Sequence, residues 1–210
     1  MATKPVLILE GPGDGEAVPE LLRRLSDFQV FPVSKPIKNQ SVGKLAPAGE
    51  LERFVNYALG REGDSVLILV DADEHCAKDI AERWSKRIAA LKPSKKVGLG
   101  LFVREYESLF LACIDLIAKR YPNYGWHLDE WSMDQNHETP RGVKERLSGM
   151  MRKGKGYKAT MDQAKFTSII DFKRLNEKCR SFQHLESLLQ WLLDNGNQHG
   201  RNLVYPRVIG

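Results

Sequence analysis

The stretch LILEGPGDGEAVPELL, residues 7–22, stops an apolar run at Glu10, passes through a glycine-rich loop and enters a helical pattern at once. Strand, tight loop and helix in that order form the opening of a βαβ unit. Glycine-rich loops placed there commonly cradle phosphate. This one instead carries Glu10, Asp14 and Glu16, so its chemistry needs another explanation.

Outward from that loop, PVLILE (5–10) reads as a short apolar strand and GEAVPELLRRL (15–25) as a helix. FQVFPV (28–33) reads as a second strand, with Pro32 marking an edge or an early end. SKPIKNQSVGKLA (34–46) is a basic irregular loop, and GELERFVNYALG (49–60) an amphipathic helix closed by Gly60. SVLILV (65–70) is the continuous apolar kind of strand that a parallel sheet buries on both faces. CAKDIAERWSKRIAAL (76–91) predicts a helix, KVGLGLFV (96–103) a fourth strand, and YESLFLACIDLIAKRY (106–121) a further helix. The alternation predicts an α/β domain over 1–121, with a mostly parallel four-stranded sheet flanked by helices. After Tyr121 the chain turns polar and aromatic. Basic helical segments follow at 141–153 and 160–179, then an amphipathic helix at 181–196 with Phe182, Leu185, Leu188, Leu189 and Leu192 on one face. Residues 122–210 therefore read as a basic, mainly helical C-terminal extension packed on the first domain.

A chain of 210 residues holds one large domain, or one ordinary domain with an extension. No apolar run approaches the about 18 residues of a membrane span. The apolar run behind MATKP is too short for a signal-peptide core. Cys76, Cys113 and Cys179 are isolated, as in a reduced, cytoplasmic protein. The net charge of +5 hides an asymmetry: residues 141–180 hold twelve Lys or Arg against four Asp or Glu. A basic third on a mildly acidic remainder fits a polyanion binder, and also a solvated helical surface.

In an open parallel sheet, ligands sit at the carboxyl ends of the strands, where strand order reverses. Glu10 closes the first strand, and the third runs into VDADEHC, giving Asp71 and Asp73. Residues two apart on an extended segment point the same way. Carboxylates gathered there would repel unless a divalent cation lay between them, and Mg²⁺ needs only one or two carboxylates beside substrate phosphate. The acids could also be simpler things: Glu10 a strand end, and Asp14 and Asp73 helix caps. A Walker loop is excluded because no Lys follows the glycines, and a dinucleotide fingerprint is weak because Lys35 and Lys38 stand where an acid is wanted. Glu105 and Glu107 follow the fourth strand, again two apart, with Glu107 also placed as a helix-capping carboxylate. Two cations ~4 Å apart would fit if Asp14 or Glu16 joined one side and Glu105 or Glu107 the other.

At Glu10-Gly11 and Asp71-Ala-Asp73 the chain resembles the TOPRIM superfamily, the metal-dependent domain of primases, topoisomerases and OLD-family nucleases. Within it, REYESLFLA (104–112), KERL (144–147), YKATMDQAKFT (157–167) and SF (181–182) resemble a group of bacterial single-domain TOPRIM-like proteins of unknown function. The resemblance implies a TOPRIM-like fold, Mg²⁺ or Mn²⁺ as cofactor, Glu10 as general base or metal ligand, and Asp71 and Asp73 as metal ligands. OLD-like members carry a hydroxyl residue where this chain has Gly13, which leaves open whether Asp14 or Glu16 is the second acid.

Lys144, Lys158 and Lys165 match later motifs of the group. Lys165 is expected beside Glu10 in catalysis, and Arg104, Lys144 and Lys158 with it on nucleic-acid phosphates, with Tyr157 and Phe166 near enough to stack a base. Core packing for the two rings and solvation for the lysines is the plainer alternative. His75 lies beside the acid pair but points away if the acids point in. His127, His137, His184 and His199 lack metal-ligand spacing, and Trp126 and Trp131 suit packing under a loop. The expectation is Mg²⁺-dependent phosphodiester cleavage of nucleic acid or a related phosphoryl transfer. The alternative is a non-catalytic module that binds nucleic acid or a separate ATPase protein. A homo-oligomer stays open.

Overall fold

β1 (Pro5–Leu9) is buried at every position in the computed structural model, which describes residues 2–33, 35–38, 40–128, 136–194 and 203–206. It is followed by α1 (Asp14–Leu25), α2 (Val42–Leu45), α3 (Glu50–Leu59), β2 (Ser65–Asp71), α4 (Ala77–Ala90) and β3 (Lys96–Phe102). Then come α5 (Ser108–Leu111), α6 (Ile114–Arg120), α7 (Val143–Gly149), α8 (Ala164–Thr167), α9 (Phe172–Lys178), α10 (Arg180–Leu193) and β4 (Val204–Tyr205). The four strands form one all-parallel sheet in the order β1-β2-β3-β4, with Leu7 opposite Leu67 and Leu67 opposite Gly98.

Alternation along the strands divides the core in two. Leu7, Leu9, Leu67 and Leu69 pack with α1 and α5–α10, whereas Val6, Ile8, Val66, Ile68 and Val70 pack with α3 and α4. At about 1.5–3 kcal/mol for each fully buried aliphatic side chain, two such faces explain why β1 and β2 are apolar throughout. On β3 the first face is occupied by Gly98 and Gly100. A Cβ on Gly98 would stand 2.5 Å from Leu188, so the missing side chains let α10 lie directly on the strand.

The fourth strand is not the expected one. Residues 28–33 form no ladder. The chain follows the free edge of β1 through isolated parallel bridges, Thr3 with Val30 and Ile8 with Ile37. Phe31 N–H bonds Thr3 O at 2.9 Å, Val33 N–H bonds Pro5 O at 3.0 Å and Ile37 N–H bonds Leu7 O at 2.8 Å. Pro32 and Pro36 have no N–H to give, and this interrupts the pairing. The sheet is completed from the other end of the chain by β4.

This path sets the position of the site. From β1 the chain crosses one face through α1 to the outer edge, then returns across the other face through α3 to β2. The crossovers on either side of that edge thus lie on opposite faces of the sheet, and in open α/β sheets ligands sit at the carboxyl ends of the strands beside such a point. Glu10 and Asp71 stand there.

Beyond residue 121 the chain adds to the first core rather than building a second. Val143, Leu147, Tyr157, Phe166, Leu175 and Phe182 belong to the same cluster as Leu7 and Leu67. The helices expected at 106–121 and 160–179 are each broken, the first at Ala112–Cys113 and the second between α8 and α9, where Asp171 caps the new helix by accepting Arg174 N–H. No helix among the described residues is long and apolar enough to cross a membrane.

Candidate metal centre

Glu10, Asp71 and Asp73 each present a carboxylate oxygen within 4.8 Å of the other two. Glu10 is half-buried just past β1, and its Oε2 accepts the N–H of Asp71 at 3.1 Å. Asp71, the last residue of β2, is 9% exposed, and its Oδ1 accepts Tyr106 N–H at 2.9 Å. Asp73 is exposed, and among the described residues no hydrogen bond engages its carboxylate.

Asp73 does not reach the group by strand alternation. Its φ is +49°, and that of Arg104 is +63°. Asp73 N–H bonds Arg104 O at 3.0 Å and Arg104 Nη1 bonds Asp73 O at 2.9 Å. Two left-handed residues therefore pin the loops after β2 and β3 to one another. Such backbone costs about 1–3 kcal/mol per residue and tends to collect at functional sites. Asp73 caps nothing: α4 begins four residues later, with Cys76 at its N-cap and no side-chain bond there.

A further shell of acids surrounds this group. Asp14 takes Gly11 N–H on Oδ2 and Gln163 Nε2 on Oδ1, both at 2.6 Å. The Lys144 ammonium, from the first turn of α7, lies 2.7 Å from Glu105 Oε2, 3.1 Å from Glu107 Oε2 and 4.0 Å from Asp71 Oδ2. Glu107, 1% exposed, also accepts the Tyr157 hydroxyl at 2.9 Å. Crowding shows in the proton affinities. Burial, helped by Asp73 and Asp14, raises the Glu10 pKa to about 7 against the backbone bond from Asp71. Burial and then Glu107 and Glu10 raise Asp71 well above the carboxylate range. Burial also raises Asp14, Asp73 and Glu107, while against its own burial Lys144 is held firmly protonated by Glu107, Glu105 and Asp71.

The DUF4276 family model, described as a domain of unknown function, matches residues 9–190. The chain belongs to the DUF4276 family. The matched span contains every acid of the centre, Lys144 and the whole basic third. No curated protein and no solved structure matches.

The residues singled out in the sequence distribute unevenly. Glu10, Asp71 and Asp73 converge as expected. Asp14 is close but fully engaged, and Glu16 is exposed on α1 outside the group. Glu107 is buried behind Lys144 rather than in the group. Lys165 is exposed and pairs with Asp162 at 3.8 Å, so the lysine that meets the carboxylates is Lys144. Lys158 is exposed, and Arg104 pairs with Glu74 at 3.2 Å, which Arg141 also meets at 2.7 Å. Tyr157 and Phe166 are core residues, tilted against one another at 5.9 Å between centroids and buried at 9% and 0% exposure, so they pack in the core as the plainer alternative had it rather than standing open for a base. Trp126 packs on Phe166 and donates Nε1–H to Tyr121 O, as expected of a ring under a loop. His75 is exposed and outside the group. Trp131 and His199 lie outside the described residues.

Gln163 and Glu138 were not foreseen. Glu138 is 5% exposed and accepts Arg180 N–H at 2.8 Å and Ser181 N–H at 3.0 Å, closing the start of α10. Gln163 sits in a π-helical turn, Ala159–Gln163. No spacing announces either of them, because both act across more than forty residues of chain.

Three carboxylates, two of them each accepting a single backbone N–H and the third accepting no hydrogen bond among the described residues, form an all-oxygen donor set. Such a set suits hard divalent cations of the Mg²⁺ and Mn²⁺ kind and not soft thiolate-seeking metals. The raised pKa values of the group express the same unmet demand for positive charge.

Proposed function

We propose that this chain is a divalent-cation-dependent enzyme that cleaves phosphodiester bonds in nucleic acid, with a TOPRIM-like acidic centre. The observation that carries the reading is the convergence of Glu10, Asp71 and Asp73 within 4.8 Å at the carboxyl ends of β1 and β2. Glu10, Asp71 and Asp73 would hold Mg²⁺ or Mn²⁺, which when bound supplies Lewis-acid polarisation of a phosphoryl oxygen and charge for the leaving oxygen. The chain's own groups do the rest. Glu10, half-buried just past β1, is placed to hold the cation or to orient and deprotonate an attacking water. Lys144 and the Asp71 N–H hold the carboxylates in place. Exposed Lys153, Lys155, Lys158 and Lys165 supply phosphate contacts along the backbone. A separate ATPase partner is part of the proposal, because this chain carries no nucleotide-binding loop of its own.

The test is a cleavage assay on single- and double-stranded DNA and on RNA. Cleavage is expected with Mg²⁺ or Mn²⁺, and is abolished by a chelator and in Asp71→Ala. Cleavage that persists in a clean Asp71→Ala preparation overturns the reading. Salt-sensitive binding without cleavage under either metal turns the assignment to a non-catalytic binding module.

A further inference from the structure

Building on that reading, we propose that the centre takes a single divalent cation and that the Lys144 ammonium permanently fills the second cationic position, between Glu105, Glu107 and Asp71. A two-cation site needs carboxylate oxygens free on both flanks of the Glu10, Asp71 and Asp73 group. Neither flank offers them. On one flank both Asp14 oxygens are taken, by Gly11 N–H and by Gln163 Nε2 at 2.6 Å. Glu16 is exposed outside the group.

On the other flank Glu105 accepts Val143 N–H on Oε1 at 3.0 Å and Lys144 on Oε2 at 2.7 Å. Glu107 accepts the Tyr157 hydroxyl on Oε1 at 2.9 Å. Its Oε2 is buried, accepts no aligned hydrogen bond among the described residues, and is met by the Lys144 ammonium at 3.1 Å. All four oxygens of this pair are therefore engaged, and their shared neighbour is a fixed monovalent cation. The third side of that ammonium faces Asp71 Oδ2 at 4.0 Å, the same residue that borders the proposed cation. An ammonium offers three donors and no redox or hydrolytic chemistry. It stabilises charge there and holds Asp71 in position, and no chelator removes it.

Manganese titration of the full chain, followed by electron paramagnetic resonance under mildly alkaline conditions, decides the matter. The wild type is expected to bind one ion, with the spectrum of an isolated centre. Glu105→Gln is expected to leave that count at one. Lys144→Met releases Glu105 and Glu107 and is expected to raise the count to two, with the broadening of a coupled pair. Two ions in the wild type, a count that falls from two to one in Glu105→Gln, or a folded Lys144→Met that stays at one overturns the single-cation proposal while the cation reading stands. No ion in the wild type overturns both. If Lys144→Met does not fold, the wild-type and Glu105→Gln counts carry the decision by themselves.

Discussion

The main-chain N–H of Asp71 donates to Glu10 Oε2 over 3.1 Å, so the last residue of β2 holds the first side chain beyond β1. Asp71 is held in turn by Tyr106 N–H. The centre is thus built mainly from strand ends and backbone, which places its acids before any ligand arrives. Pre-placed like charges are unfavourable without a cation, and most of that cost falls on Asp71, the most buried of the three.

Asp71→Asn should therefore separate function from stability. The amide carries no charge to desolvate and none to oppose Glu10 and Glu107, so the metal-free variant should melt higher than the wild type by calorimetry. The same change should lower cleavage by roughly a thousandfold or more, since it removes a cation ligand worth several kcal/mol at the transition state. A variant that is both less stable and fully active would contradict both halves.

Stability without metal should fall as pH rises. Glu10 keeps its proton to about 7 in the folded chain, against 4.5 as the ordinary value. The native state then binds more protons than the unfolded state across that window. The stability contributed is complete below the lower value and is lost as pH climbs through the upper one. Asp14, Asp71, Asp73 and Glu107 shift in the same direction. Urea midpoints in chelator should be higher at about pH 5 than at about pH 8. Saturating Mg²⁺ should reverse that order by binding the ionised group, adding about 2.7 kcal/mol at a hundredfold excess over its dissociation constant. A flat profile in chelator would remove the case for crowded acids.

Much of this was legible in the residues, and the exceptions have physical causes. SVLILV and LILE could only be buried strands, and Glu10 and Asp71 at their ends followed from chain geometry. The fold class, parallel with four strands and flanking helices, followed from the alternation. Residues 28–33 look like a strand because period and β-branching say nothing of how many N–H groups remain once Pro32 and Pro36 are counted. β4 was missed because two residues near the end of the chain carry no period at all. Asp73 arrived at the right place through a left-handed turn that spacing does not encode. Lys144 and Lys165 are alike in the sequence, and only packing shows that the first turns to the acids and the second to Asp162.

The basic third should reveal itself through salt. Lys153, Lys155 and Lys158 are exposed, and among the described residues no ion pair engages them. Replacing all three by Ala should weaken nucleic-acid binding and reduce the slope of log affinity against log salt by about 1 for each phosphate that a lysine no longer neutralises. Fluorescence anisotropy of a labelled oligonucleotide across a potassium chloride series measures it. An unchanged slope would place the polyanion surface elsewhere on the molecule.

Gly13 should prove intolerant for a reason unrelated to backbone angle. Its φ of −66° suits any residue, but a Cβ there would stand 2.1 Å from Gln163 Oε1 and 2.8 Å from Ala159 O. The glycine lets the π-helical turn close over the loop, and Gln163 then reaches Asp14. A hydroxyl residue cannot enter without moving that turn. Gly13→Ser should cost about 1–3 kcal/mol in urea unfolding, as overpacking does. Shortening the neighbour as well, in Gly13→Ser with Gln163→Ala, should recover only part of the loss. The flexible amide is then gone, but the Ala159 carbonyl remains, and Asp14 has lost its side-chain donor. Full recovery in the double variant would mean that Gln163 alone sets the limit and that the turn itself can yield.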